Sequence, residues 1–260
     1  MKHISSRDNP LYKDLKRLAT SPAARQRASQ TLLDGIHLCE MYLSRRGQPL
    51  HCIVAESALA HAEVAALLER VDSQCVQVLA DALFAALAQV EHGVRLLFVI
   101  AVPKEAASST PQQPCVLLDR LQDPGNLGSI LRSAAAAGVT HVYCAAGTVA
   151  AWSPKVLRAA MGAHFVLTIH EDCDLQALLS SLTTPVYAMS SHAEHSLYDC
   201  DVVTASWVFG NEGQGVATTL LTSGIQTLRI PQPGGMESLN VAAAAAVCLF
   251  EQVRQRSGGR

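Results

Sequence analysis

Three stretches of the chain carry residue types and spacings that could do chemistry. Trp207-Val208-Phe209-Gly210-Asn211-Glu212-Gly213-Gln214-Gly215 is the first, and Ile230-Pro231-Gln232-Pro233-Gly234-Gly235-Met236-Glu237-Ser238-Leu239-Asn240-Val241 the second. Each runs from a strand-like apolar segment into glycine-punctuated backbone and then into a helix start. Such loops present main-chain N–H and C=O groups to a flat, polar ligand without obstruction by side chains. Two of them so close in sequence point to one small-molecule pocket built mostly from backbone. The third stretch is Leu118-Asp119-Arg120-Leu121-Gln122-Asp123-Pro124-Gly125-Asn126-Leu127-Gly128-Ser129-Ile130-Leu131-Arg132-Ser133-Ala134. Its polar groups follow a short apolar run and lead into a helical pattern.

The elements that must position these stretches follow from periodicity. From residue 115 on, apolar runs at 115–119, 142–145, 165–169, 186–189, 206–209 and 225–230 read as strands. They alternate with helical patterns at 127–138, 153–162, 174–182, 216–223 and 238–256. That alternation implies a parallel sheet covered on both faces, and ligands of such sheets bind beyond the carboxyl ends of the strands. Both glycine loops lie at such ends. Ahead of them, residues 4–45 read as helical, with Ser5 or Asn9-Pro10 as the cap and Leu11, Leu15 and Leu18 on one face. Strands at 52–55, 75–79 and 96–102 and helices at 57–70 and 81–88 complete a small α/β unit. Residues 103–114, rich in Pro, Ser, Gln and Ala, read as a linker. The expected domains are 1–104, a linker over 105–114, and 115–260.

Composition narrows the class. The 260 residues are 49% hydrophobic and 16% charged, enough for a well-buried core. No apolar run approaches the roughly 20 residues of a membrane helix, and the first residues lack a signal core, so a cytoplasmic protein is expected. Eight scattered cysteines, none in a C-x-x-C pair, read as reduced thiols, several of them buried, and no metal site is expected. The net charge is −2, but residues 1–50 hold nine Lys/Arg against four acids. That segment is therefore +5 and the remainder −7, which reads as either a polyanion-facing surface or an ordinary solvated helix face. His92, His164 and His195 read as surface or structural residues.

The ordinary nucleotide folds are poor fits, because G-x-G-x-x-G does not follow the first strand of the second domain, and there is no Walker phosphate loop. The three stretches together, over roughly 115–255, closely resemble the SpoU (TrmH) family of RNA ribose 2′-O-methyltransferases, of the knotted SPOUT class. Asn126, Gly128 and Arg132 match its first motif and Gly210 to Gly215 its second. Ile230-Pro231, Gly234, Ser238-Leu239-Asn240-Val241 and the following alanines match its third. The N-terminal part, from Ile4 and Asn9-Pro10 to Leu32-Leu33-Asp34-Gly35, looks like the RNA-binding domain common in the family. Departures stand at Gln232 and Pro233, where Met and a small residue are usual, at Ala242 for Ser, at Asp34-Gly35 for Glu-Gly, and at Val90-Glu91-His92-Gly93.

The resemblance implies an α/β trefoil-knotted methyltransferase domain behind a small N-terminal α/β RNA-binding domain. It implies a homodimer with the site near its interface, S-adenosyl-L-methionine as cofactor, and no membrane or metal partner. The substrate expected is structured RNA, ribosomal rather than transfer RNA. A transfer-RNA 2′-O-methyltransferase and a non-catalytic RNA-binding homologue are the alternatives. Gly210, Gly213, Gly215, Ile230 and Leu239 carry over as cofactor contacts, with Ser190, Ser191 and His192 as weaker candidates. Asn126, Arg132, Glu212, Ser238 and Asn240 carry over as the catalytic set, each beside a plainer reading. Asn126 is either a helix cap or an active-site contact, and Arg132 either a surface ion pair or the group that orients the ribose and balances its phosphate. A guanidinium that keeps its proton above pH ~12 is a poor base. Glu212 is either a turn acid or the carboxylate that orients Arg132 or a partner-subunit group. Ser238 and Asn240 open the last helix and also could hold the ribose and the charged end of the cofactor.

Overall fold

The computed structural model of the chain describes residues 1–88, 93–103, 113–234 and 238–258. Most of the expected linker 105–114, the turn residues 90–92 with His92, and Gly235, Met236 and Glu237 of the third motif lie outside the described residues. The chain divides into two packing units, Met1–Lys104 with Trp152–Phe165, and Glu105–Ala151 with Val166–Arg260.

The first unit holds a mixed five-stranded sheet. Its strands are β1 (Lys2–Ile4), β2 (Gln30–Asp34), β3 (His51–Ala55), β4 (Val76–Leu79) and β5 (Leu96–Ala101), in the order β1-β4-β3-β5-β2. β5 runs antiparallel to both β2 and β3. Here the expected helical stretch 4–45 is corrected to three helices and two strands: α1 (Pro10–Thr20), α2 (Pro22–Ala28) and α3 (Ile36–Arg45), with β1 before them and β2 among them. The breaks have local causes. Asn9 Oδ1 accepts from Leu11 N at 2.9 Å ahead of Pro10. Ser21 ends α1 and caps α2, with Pro22 as its first residue. Ser29 then turns into the left-handed region at φ 49°, and Thr31, Leu32 and Leu33 are buried on the strand that follows. The expected helix 57–70 is a 3-10 turn, Glu56–Ala60, and then α4 (Ala62–Leu68); α5 is Asp81–Ala85.

The segment read from the sequence as belonging with the second half, α7 (Pro154–Ala160) and its flanks, packs in this first unit. Thr31 Oγ1 donates to Trp152 O at 2.8 Å, and Leu157 and Phe165 join the core that contains Leu32, Phe98 and Tyr12. The strand expected at 165–169 accordingly begins later.

The second unit is a seven-stranded sheet in the order β10-β12-β9-β11-β6-β7-β8, with every recorded pair parallel. The strands are β6 (Val116–Leu118), β7 (His141–Ala145), β8 (Thr168–Cys173), β9 (Val186–Met189), β10 (His195–Ser196), β11 (Ser206–Phe209) and β12 (Gln226–Arg229). The helices are α6 (Pro124–Ala136), α8 (Leu175–Leu179), α9 (Thr218–Leu221) and α10 (Val241–Arg256). β11 and β6, central in the order, are buried along their whole length, as unbroken apolar runs in a doubly covered sheet must be. α10 docks through a buried polar pair: Trp207 Nε1 donates to Gln252 Oε1 at 3.1 Å, and Gln252 Nε2 donates to Ala205 O at 2.8 Å. A misfit there would cost more than a surface hydrogen bond, because both groups are out of water. That docking fixes where the start of α10 points.

All eight cysteines are free, and Cys39, Cys52, Cys115, Cys144 and Cys248 are buried. Burial pushes the Cys52 thiol up to about 12 and Cys115 to about 11, so these thiols stay protonated and unreactive at neutral pH.

Candidate active site

Four loops leave the carboxyl ends of the neighbouring strands β12, β9, β11 and β6. The first three and the starts of α6 and α10 enclose a cleft of about 600 Å³. Its lining includes Ser190, Ser191 and His192 after β9, Gly210 to Val216 after β11, Ile230 and Gln232 after β12, and Ser238, Leu239 and Asn240 ahead of α10.

The loop after β11 is built to close on itself. Asn211 N donates to Gly215 O at 3.1 Å and Gly215 N to Asn211 O at 2.8 Å. Asn211 Oδ1 accepts from Gly213 N and Gln214 N, both at 3.0 Å. Gly210 is needed for close approach, since a Cβ there would collide with the backbone of Gly215 and Val216. Gly215 is needed for its φ of +70°. Gly213 has neither requirement: a Cβ on it would meet only Asn211 Oδ1 at an ordinary 3.7 Å.

Glu212 does not reach toward Arg132. Its carboxylate accepts from Gln122 N (3.1 Å), Asp123 N (3.0 Å) and Asn126 Nδ2 (3.1 Å). Partial desolvation pulls its pKa up, but these three donors outweigh that and hold it below the usual carboxylate range. Asn126 Oδ1 in turn accepts from Asn240 Nδ2 at 2.9 Å. Asn240 Oδ1 caps α10 by accepting from Ala242 N at 2.9 Å and Ala243 N at 3.2 Å. Three of the five expected catalytic residues therefore form one relay, carboxylate to amide to amide, that ties together the starts of two packed helices, α6 and α10. Two details differ from the sequence reading. Asp123, not Asn126, caps α6, accepting from Asn126 N at 2.8 Å; and α10 begins at Val241, so Ser238 precedes the helix and lines the cleft.

Arg132 stands apart. It lies six residues beyond Asn126 on α6, about 120° round the helix from it. It is exposed, is absent from the cleft lining, and makes no hydrogen bond or ion pair among the described residues.

Sequence alone points to no role for Asp119, Arg120 or Gln122. Asp119, nearly buried at the end of β6, accepts from Ala217 N at 2.8 Å and from Arg120 Nε at 2.8 Å. Arg120 adopts φ 55°, a conformation uncommon away from glycine. Its carbonyl accepts from Asn211 Nδ2 at 2.9 Å, and Gln122 Nε2 reaches Gly147 O at 2.7 Å. These residues brace the β6 loop against the loops after β11 and β7. A carboxylate ending a wholly apolar strand was the available signal.

The cleft fits a nucleoside-sized ligand with a polar end. It combines bare backbone at Gly210, an apolar side with Phe209, Leu221 and Ile230, and polar groups at Ser190, Ser238 and Asn240. The SpoU rRNA Methylase family model matches residues 113–250. An uncharacterized tRNA/rRNA methyltransferase of Synechocystis is 33% identical over 97% of this chain and 94% of its own length. The 23S rRNA guanosine 2′-O-methyltransferase RlmP of Bacillus subtilis is 31% identical over 96% of this chain and 98% of its own. The crystal structure of the SpoU methyltransferase AviRb from Streptomyces viridochromogenes, in complex with AdoMet, superposes with a TM-score of 0.85, at 25% identity, over 97% of this chain and 100% of that one. The chain belongs to the SpoU rRNA methylase family.

Proposed function

We propose that the chain transfers a methyl group from S-adenosyl-L-methionine to a ribose 2′-hydroxyl of ribosomal RNA. The observation that carries this reading is the cleft at the carboxyl ends of β12, β9 and β11, with the Glu212–Asn126–Asn240 relay at its rim. The cofactor, when bound, supplies a methyl group on a sulfonium whose leaving thioether is neutral. The residues of the chain have to align and hold, which is where most of the gain in such a transfer lies. Gly210 and Gly215 keep backbone open to the cofactor, and Ile230 and Leu239 give it an apolar wall. Asn126 and Asn240, fixed by Glu212, hold the ribose side, with Ser238 beside them.

Arg132 fits a role that its own chain does not complete. In a homodimer whose interface runs near the cleft, the Arg132 of a second chain orients the ribose and balances its phosphate. The exposure of Arg132 and its lack of a partner among the described residues support this. The knotted threading of the family is proposed for the second unit as well. The first unit, with its basic segment, grips structured RNA through phosphate and shape, and the reaction belongs in the cytoplasm. No helix among the described residues is long and apolar enough to cross a membrane. An intact relay speaks against a binding protein that has lost catalysis.

The relative in Synechocystis carries transfer RNA in its name as well, so both RNAs belong in the test. Total RNA from cells with and without the protein, mapped for 2′-O-methyl sites, should differ at a ribosomal position. A difference confined to transfer RNA would redirect the substrate, and a methylated base would overturn the ribose assignment.

A further inference from the structure

Gln232 follows Ile230-Pro231 at the carboxyl end of β12 and lines the cleft. Its Oε1 is buried and has no hydrogen-bond partner among the described residues. Buried polar atoms are nearly always paired, and an orphaned one weakens the fold unless something else supplies the partner. An amide oxygen can only accept, so the missing partner is an N–H or O–H donor. The same cleft carries Phe209, Leu221 and Ile230, an apolar lining suited to a flat heteroaromatic ring. A neutral amide matches a neutral ring amino group. A charged ammonium group would call for a carboxylate instead, and Glu212, the acidic residue of the lining among the described residues, already receives three donors.

We propose that Gln232 reads the 6-amino group of the cofactor's adenine through Oε1, and so sets the preference of the cleft for adenosyl over other nucleosyl ligands. This rests on the cofactor occupying the cleft.

The test is calorimetric titration of the full chain with S-adenosylhomocysteine and with its inosyl counterpart, in which oxygen replaces the 6-amino group. The wild type should prefer the adenosyl ligand by about tenfold or more, because an acceptor would otherwise face an acceptor. In Gln232→Met the ratio should fall about 5- to 10-fold, mostly through weaker adenosyl binding. The ligand-free variant should melt no lower than the wild type, because the orphaned oxygen is gone. Gln232→Glu keeps an acceptor and should keep the preference. An unchanged ratio in Gln232→Met, or equal weakening of both ligands, would overturn the inference and leave the cleft assignment standing. A wild type that binds neither ligand would remove the cleft assignment and this inference with it.

Discussion

The two glycine-punctuated loops of the second unit look alike in sequence and differ in what holds them. The loop at 210–215 is satisfied from within: Asn211 bridges Gly215, its side chain receives two backbone donors, and Glu212 ties the loop to the start of α6. The loop after β12 brings Gln232 Oε1 to the cleft with no partner among the described residues, and at its far end Asn240 caps α10. A segment whose polar groups pair with one another is a frame. A segment that brings an unpaired acceptor into a cleft leaves work for a ligand. Arg132 extends the contrast, since it lies outside the cleft altogether.

The largest effect should come from Arg132. Arg132→Ala should lower methyl transfer by about 10²–10³-fold, the usual loss when a positioned charge donor is removed, while affinity for S-adenosylhomocysteine stays within about twofold. Single-turnover rates and calorimetry measured on one preparation separate the two. If each chain's Arg132 serves its partner's cleft, mixing Arg132→Ala with a cofactor-binding variant should restore activity that neither has alone.

Next comes the frame. Gly210→Val would drive a side chain into the backbone of Gly215 and Val216, and should weaken S-adenosylhomocysteine about 100-fold or unseat the loop. Gly213→Val, whose Cβ would meet only Asn211 Oδ1 at 3.7 Å, should cost only a few-fold. Equal losses at the two positions would mean that the loop is not held as the geometry shows.

Glu212→Gln should cost about 1 kcal/mol of stability, since its three charge-assisted hydrogen bonds sit at an exposed rim. The folded-state pKa of Glu212 lies below its unfolded value. Its contribution is therefore present above the ordinary carboxylate range and lost as pH falls through the depressed value. Melting curves of wild type and variant should differ at neutral pH and converge in acid.

The smallest effect is expected in the first unit. Deletion of residues 1–104 is a poor probe, because Trp152–Phe165 belongs to that unit's core and would be left without its packing partners. Arg7, Lys16 and Arg17, all exposed, are better changed together to Gln. RNA affinity should fall several-fold. Its salt dependence should become shallower by about one log unit per log unit of salt for each phosphate that the variant no longer neutralises. An unchanged slope would leave the basic segment as a solvated surface.

What could be read from the sequence follows the same division. Trp207-Val208-Phe209 and Val116-Leu117-Leu118 form unbroken apolar runs because central parallel strands are buried on both faces, so the second sheet was legible. β2 was not, because Leu32 and Leu33 continue the leucine spacing of α1 and only the capping by Ser21 and the left-handed Ser29 break it. β1 buries a single residue, Ile4, too little for any period to register. Within the site, residue types revealed Asn126, Glu212 and Asn240 as polar groups in the right loops, but not that they bond to one another, because pairing across 86 and 114 residues leaves no local pattern. Gln232 stood out only as a departure. Its unpaired oxygen is a property of the folded cleft.

The central claim is methylation of a ribose in ribosomal RNA from a cofactor held in this cleft. The most direct measurement incubates the purified chain with methyl-labelled S-adenosyl-L-methionine and ribosomal RNA that lacks its own modifications, then digests the RNA and identifies the labelled nucleoside by mass spectrometry. A single 2′-O-methylnucleoside is expected, formed about 10²–10³-fold more slowly when Arg132→Ala replaces the wild type. Label on a base, or label that persists in Arg132→Ala at the wild-type rate, would contradict it.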